Sequence, residues 1–153
     1  MTRKEIAEGY FLSGYNCAQA VVLAFKDLMN IDEKTAAMIS SSFGGGIGRQ
    51  REVCGAISGM VIVLGALKGY SDPKNVTAKK EHYALIQRLC GKFKEINGSI
   101  VCRELLGLSE KSSTPVPEAR TSEYYKKRPC KELVGIAAEI LNEYLENEKP
   151  YCD

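Results

Sequence analysis

The chain has 153 residues, of which 44% are hydrophobic and 26% charged, a balance typical of one globular domain and not of a disordered segment. The formal net charge of +2 is too small to indicate nucleic-acid binding, and no interleaving of aromatic and basic residues supports it. The N-terminus lacks the apolar core of a signal peptide, and the uncharged, apolar stretch from Val53 to Leu67 is shorter than the ~20 residues of a membrane span. We therefore expect a cytoplasmic protein that does not insert into membranes.

The first two predicted elements are helices with clear start signals. No segment alternates with the period of a strand, whereas several have helical spacing, which predicts an all-α fold. A capping box of Thr2 and Glu5 predicts a helix from about Thr2 to Leu12. After Gly14, Asn16 is a favoured N-cap that places Cys17 at the first position of the next helix. The apolar stripe of that helix is predicted to consist of Val21, Val22, Phe25, Leu28 and Met29.

A glycine-rich loop separates the next two predicted helices. Asp32 caps a short helix through Met38 and Ile39, and the loop follows with glycines at four of the five positions from Gly44 to Gly48. Glycine permits positive φ and close approach of the backbone to another group. No Gly-Lys-Ser/Thr follows, so this is not a P-loop. The segment from Cys54 to Leu67 is apolar on all sides, which predicts a central, buried helix.

The second half of the chain continues the helical pattern. A long helix is predicted from about Val76 to Ile96, with its inward face formed by Ile86, Leu89, Phe93 and Ile96, and Asn97-Gly98 ends it. Ser99 is expected to cap a short helix that holds Cys102. A surface loop from Ser109 to Arg120 and a linker containing Tyr124 to Arg128 are predicted to lead to the final helix, which starts at Pro129-Cys130 and runs to about Glu146. We expect residues 1–153 to form a single-domain helical bundle around a buried, glycine-rich central helix.

Four cysteines on four predicted helices are the main functional signal. Each lies in a first helical turn, where unpaired N–H groups and the helix dipole stabilise a thiolate. Their separations of 36, 47 and 27 residues contain no C-x-x-C, which argues against a zinc ribbon, a thioredoxin-type centre and a ferredoxin run. A shared site must therefore be assembled by the tertiary fold. The four residues are Cys17, Cys54, Cys102 and Cys130.

Other candidate residues have simpler interpretations. Cys90 fits a buried core position, Cys152 a thiol near the C-terminus, and His82, the only histidine, a structural role. Cys54 is predicted to be the most reactive thiol, because the glycine loop leads into its helix. Arg49 and Arg51 are expected to stabilise the Cys54 thiolate, to attract an anion, or to be solvated loop charges.

Several short sequence motifs, taken in their order along the chain, resemble the family of redox-active proteins that is labelled by its cysteine pattern, C_GCAxxG_C_C. The resemblance extends from about Tyr10 to Leu145 and is carried by Asn16–Gln19, Phe43–Gly48, Cys54–Gly59, Gly98–Gly107 and Cys130. It implies that Cys17, Cys54, Cys102 and Cys130 are the shared set, and that Cys90 and Cys152 are outside it. The pattern is also similar to the iron–sulfur-binding portion of split-Soret cytochromes, which implies a cluster held by the four sulfurs. Association of family members with transporter genes implies a transporter-associated role.

Three functions remain open from the sequence. The first is a thiol-based or iron–sulfur oxidoreductase in which the four cysteines form a dithiol/disulfide or an iron–sulfur centre that serves an unidentified redox partner. The second is a non-catalytic metal-binding protein with a structural zinc site. As the bound group, zinc is less favoured than an iron–sulfur cluster. The third is a transporter-associated accessory module whose cysteines serve only in packing.

Overall fold

The computed structural model describes residues 1–109 and 114–148, and these fold into the predicted all-α architecture. The only β-type pairing in these two ranges is an isolated antiparallel bridge between Val53 and Val101. None of the helices described is both long and apolar enough to cross a bilayer. In chain order the helices are α1 Arg3–Leu12, α2 Cys17–Ala24, α3 Lys26–Met29, α4 Glu33–Ser40, α5 Gly55–Lys68, α6 Val76–Asn97, α7 Cys102–Leu105, α8 Ser122–Lys127 and α9 Cys130–Asn147.

The predicted helix starts at the N-terminal end of the chain are confirmed. Thr2 and Glu5 form a capping box at α1, and Asn16 and Gln19 form a second one at α2. Asp32 accepts a hydrogen bond from the backbone of Thr35 and so caps α4. Local side-chain chemistry therefore determines where these helices begin.

The core forms around α2 and α5. Helix α2 packs against α1, α4, α5 and α9, and α5 also contacts α6 and α9. The N-terminal half of α5 is buried on all sides, as predicted, whereas its C-terminal part is exposed at Gly65 and Ala66. The largest fully buried side chains come from several helices and include Phe11, Phe25, Phe93, Met60, Leu64, Leu89 and Leu141.

Three local predictions are wrong. The linker predicted at Tyr124 to Arg128 is largely helix α8, which is capped by Thr121. Leu28 is 46% exposed, because the backbone leaves helical geometry at Phe25 and restarts as the short helix α3. Ile96 is 61% exposed at the end of α6.

Two helix starts differ in detail from the expectation. Helix α7 has Val101 as its N-cap, and the Ser99 hydroxyl instead accepts a hydrogen bond from the backbone of Val101. Pro129 occupies the N-cap position of α9 and not the first helical position. Both differences leave a cysteine, Cys102 or Cys130, as the first residue of its helix.

Candidate functional site

The four predicted cysteines line one cavity of about 400 Å³. Cys17, Cys102 and Cys130 are the first residues of α2, α7 and α9, and Cys54 is the N-cap of α5. All four are free thiols. Cys90 lies on α6 and is not among the residues that line this cavity, and Cys152 lies outside the described residues. The fold therefore brings together the four cysteines that the sequence singled out.

Cys17 and the start of α5 are in close contact because Gly55 has no side chain. A Cβ atom on Gly55 would lie 2.9 Å from the Cβ of Cys17 and 3.1 Å from the carbonyl oxygen of Phe43. One turn later, a Cβ on Gly59 would lie 2.7 Å from the carbonyl oxygen of Ala18. These contacts are shorter than side-chain carbon atoms tolerate, so both glycines are needed for α2 and α5 to approach.

Cys54 and Cys102 are placed by the isolated bridge between Val53 and Val101. The amide of Cys54 donates to the carbonyl of Ile100 at 2.8 Å, and the amide of Cys102 donates to the carbonyl of Glu52 at 2.6 Å. Each cysteine directly follows a residue of this bridge, so the bridge brings the two cysteines together at the cavity although 47 residues separate them in the chain.

The glycine loop folds back on itself beside the sulfurs. Positive φ occurs at Gly45, Gly46 and Gly48, as the sequence indicated, and also at Ile47, Arg49 and Arg51. A Cβ on Gly46 would lie 2.6 Å from the amide nitrogen of Glu52, so this turn requires glycine.

Arg51 contacts a different cysteine from the one expected. Its side chain is 7% exposed, and its Nη1 atom donates to the sulfur of Cys102 at 3.7 Å. We expected Arg51 to stabilise Cys54, to attract an anion or to lie in solvent, and the buried contact with Cys102 differs from the first and the last of these. Arg49 lines the same cavity.

The four thiols differ strongly in acidity, and only that of Cys130 is more acidic than usual. The Cys17 thiol donates a hydrogen bond to the Cys130 sulfur, which lowers the pKa of Cys130 and raises the pKa of Cys17 well above its usual range. The charge of Arg128 and a hydrogen bond from Tyr124 lower the pKa of Cys130 further, against the effect of burial. Of this pair, Cys130 therefore ionises more readily, and Cys17 retains its proton more strongly.

The prediction that Cys54 is the most reactive thiol is not supported by this environment. Burial raises the pKa of Cys54 to about 12, although the backbone amides of Ala56 and Ile57 act in the opposite direction. Burial also raises the pKa of Cys102, and the Arg51 guanidinium offsets only part of that rise. Desolvation exceeds the effect of a helix N-terminus at these two positions.

Sequence reasoning missed three residues of the site, Arg120, Tyr124 and Arg128. All three line the cavity and belong to the segment that we took for a loop and a linker. The guanidinium of Arg120 donates to the carbonyls of Phe11 and Tyr15 at 2.9 Å each. It also lies 4.2 Å from the ring centroid of Phe11 and 5.1 Å from that of Tyr124.

These contacts anchor the segment that ends at Cys130. Arg128 pairs with Glu118 at 3.2 Å within the same segment. The signal that could have revealed the segment is Thr121, an N-cap residue directly before Ser122-Glu123.

His82 lies away from the sulfurs. It lines a separate cavity with Tyr70 and Tyr144, and its buried Nδ1 atom has no hydrogen-bond partner among the described residues. Its ring meets that of Tyr70 edge to face at 6.0 Å between centroids.

The arrangement of ligand-type side chains does not fit a preformed metal centre. Across residues 1–109 and 114–148, no group of three or more His, Cys, Asp or Glu side chains is placed so that it could hold a metal ion. We therefore derive no chemical step through a metal or cluster.

A comparison with protein-family models matches residues 15–144 to the family described as "Putative redox-active protein (C_GCAxxG_C_C)". The chain belongs to this family of cysteine-patterned proteins. No curated protein and no solved structure gives a significant match.

The chain departs from the family label in one detail. The label places Gly before Cys, whereas this chain has Cys54 before Gly55. The contact of Gly55 with Cys17 explains this order, because any side chain at position 55 would overlap α2.

Proposed function

We propose that the protein carries out thiol–disulfide exchange through Cys17 and Cys130. The observation that carries this proposal is that Cys17 and Cys130, the first residues of α2 and α9, line the same cavity together with the other two cysteines. The two thiols also shift each other's pKa in opposite directions. A thiolate with a neighbouring thiol is the arrangement that disulfide exchange requires, since one sulfur attacks and the other resolves the mixed disulfide. Such chemistry suits the cytoplasmic, reducing compartment expected from the sequence.

The exchange follows directly from the protonation states of the pair. The Cys130 thiolate attacks one sulfur of a partner disulfide, the partner's S–S bond breaks, and a partner thiolate leaves and takes up a proton. Cys17 then loses its proton and attacks the Cys130 sulfur, which forms the Cys17–Cys130 disulfide and releases the second partner thiolate. The protein loses two electrons and the Cys17 proton, and the partner disulfide gains the two electrons. One of the two partner thiolates takes up the proton from Cys17 and the other takes up a proton from solvent, which gives two thiols.

Tyr124 and Arg128 support the first step. The Tyr124 hydroxyl donates a hydrogen bond to the Cys130 sulfur, and the charge of Arg128 stabilises the thiolate. Burial raises the pKa of Tyr124, so its hydroxyl stays protonated and remains a donor. Cys54 and Cys102, whose pKa values are raised, stay protonated beside the pair.

Disulfide mapping tests the proposal. The reduced protein is treated with a neutral disulfide, the remaining thiols are alkylated, and the linked peptides are identified by mass spectrometry. We expect a Cys17–Cys130 link, its loss in Cys17→Ser and in Cys130→Ser, and its retention in the matched control Cys90→Ser. A first-formed link between any other pair, or no link at all, would contradict the proposal.

A four-sulfur metal or iron–sulfur centre is the second candidate function. It is favoured by one observation, that all four cysteines line the same cavity, and it would require the sulfurs to move from their described positions. Anaerobic purification followed by a visible spectrum and analysis of iron and labile sulfide distinguishes the two candidates. A cluster predicts charge-transfer absorption with iron and sulfide, whereas the dithiol predicts colourless protein whose thiols oxidise reversibly in pairs.

A further inference from the structure

We propose that the disulfide exchanged at Cys17 and Cys130 is a small molecule bearing carboxylate groups, bound within the cysteine-lined cavity. This inference rests on the exchange function proposed above and adds the chemical class of the substrate. It is argued from the depth and size of the cavity and from the charges around it.

The sulfurs lie at the closed part of the cavity. Cys54, Cys102 and Cys130 are 4%, 7% and 9% exposed. The lining also includes exposed residues, among them Ser41, Gly48, Pro115 and Pro117, which mark its opening to the surface. A reacting disulfide must therefore pass this opening and reach inward to the thiolate.

The volume of the cavity suits a small molecule. At about 400 Å³ it lies near the lower end of the range of small-molecule pockets, about 300–1,000 Å³. A disulfide within a folded protein is held by two backbones, which restricts how far its sulfurs can reach into a recess. A flexible aliphatic disulfide could enter with one half and leave the other half at the opening.

Charge indicates which small disulfides are favoured. The described lining residues carry one carboxylate, that of Glu118, and four guanidinium groups, those of Arg49, Arg51, Arg120 and Arg128. Two of these cations directly follow the glycine loop and two belong to the segment before α9, so two separate parts of the chain bring positive charge to the cavity. A recess in which one sign of charge predominates concentrates ligands of the opposite sign and accelerates their association.

The same charges favour the chemistry as well as binding. In each half-reaction the departing sulfur becomes a thiolate, and a nearby guanidinium stabilises negative charge on the leaving group as it does on Cys130. A carboxylate-bearing disulfide thus presents negative charge to the same groups before and during bond cleavage.

Three aliphatic disulfides of different charge test the inference. They are 3,3′-dithiodipropionate, which is anionic, bis(2-hydroxyethyl) disulfide, which is neutral, and cystamine, which is cationic. The rate of Cys17–Cys130 formation is measured by quenched alkylation and mass spectrometry. We expect the anionic disulfide to react about tenfold faster than the neutral one, the cationic one to react slowest, and added salt to reduce the difference. Leaving-group acidity alone would give the reverse order, because the thiol released from cystamine is the most acidic of the three.

Two matched variants show where the preference originates. Arg49→Gln is expected to lower the ratio of anionic to neutral rates by about threefold or more, because one cation of the cavity is lost. Arg88→Gln removes the same charge from α6, outside this cavity, and is expected to leave the ratio unchanged.

The outcomes separate this inference from the function on which it rests. If the neutral disulfide forms the Cys17–Cys130 link and the anionic one is no faster, the substrate class is wrong and the exchange function stands. If none of the three disulfides forms that link, the exchange function and the substrate class both fail.

Discussion

Replacing Gly59 with alanine should separate the two central helices and destabilise the protein. The added Cβ would lie 2.7 Å from the carbonyl oxygen of Ala18 and 2.9 Å from the Cβ of Val21. Neither atom is the end of a flexible side chain, so α2 as a whole would have to shift. Overpacking of this kind costs about 1–3 kcal/mol.

Gly65 in the same helix provides the matched control. A Cβ at Gly65 would meet nothing within 4 Å. Alanine is favoured over glycine within a helix by about 1 kcal/mol, and this gain applies to both variants. The difference in unfolding free energy between Gly65→Ala and Gly59→Ala therefore isolates the packing term, and we expect about 1–3 kcal/mol.

Urea unfolding of the reduced protein measures this difference. With a slope of about 1–3 kcal/mol per molar urea, the unfolding midpoints of the two variants should differ by roughly 1 M. The midpoint of Gly65→Ala should be the higher of the two. Equal midpoints for the two variants would refute the reasoning, because they would mean that α2 and α5 are not in tight contact at Gly59.

Three further predictions concern the thiols and the segment before α9. Stability of the reduced protein should fall as pH rises above about 9, because the buried Cys54 thiol, whose folded pKa is raised to about 12, stays protonated while its unfolded counterpart ionises. Urea midpoints at about pH 8 and pH 10 measure this, and the decline should be shallower in Cys54→Ser; an equal decline would show that Cys54 is not the cause. Iodoacetamide at neutral pH should label Cys130 before Cys54, because the pKa of Cys130 is lowered and that of Cys54 is raised. Peptide mass spectrometry measures the order of labelling, and labelling of Cys54 first would contradict the assignment of Cys130 as the more acidic thiol. Arg120→Lys should lower the unfolding free energy by about 1–3 kcal/mol and speed proteolysis between residues 114 and 128. Lysine lacks the planar guanidinium group that donates to the carbonyls of both Phe11 and Tyr15. An unchanged rate of cleavage would mean that Arg120 does not anchor the segment.

The elements that the sequence predicted well are those defined by neighbouring residues. The capping boxes at Thr2 and Asn16 and the Asn97-Gly98 stop are short-range signals, and each helix boundary that they predicted is present. The buried start of α5 was likewise readable, because apolar residues on every side of a helix leave no face for solvent.

The missed elements depend on contacts between distant parts of the chain. Helix α8 has a polar, basic sequence without an apolar stripe, and it is held by Arg120 reaching back to Phe11 and Tyr15. The bridge between Val53 and Val101 joins segments that carry no strand pattern. Nothing local in the sequence indicates either contact.

The acidity of the thiols was the least predictable property of the site. A helix N-terminus stabilises a thiolate only by a modest amount, whereas burial of a charge is expensive. The sequence showed the helix starts at all four cysteines but not their burial. It also could not show that Cys17 would donate its proton toward Cys130, because these two residues meet only through packing of α2 on α9.

The late position of Cys130 in the chain has a consequence during protein synthesis. Cys17, Cys54 and Cys102 emerge from the ribosome before α9, the helix that supplies Cys130 and packs on α1, α2, α5 and α6. Until that helix docks, a nascent chain has four thiols, those of Cys17, Cys54, Cys90 and Cys102, and lacks Cys130, the proposed partner of Cys17. An oxidant that arrives early can therefore join only other pairs of sulfurs, and the proposed exchange requires that α9 is complete.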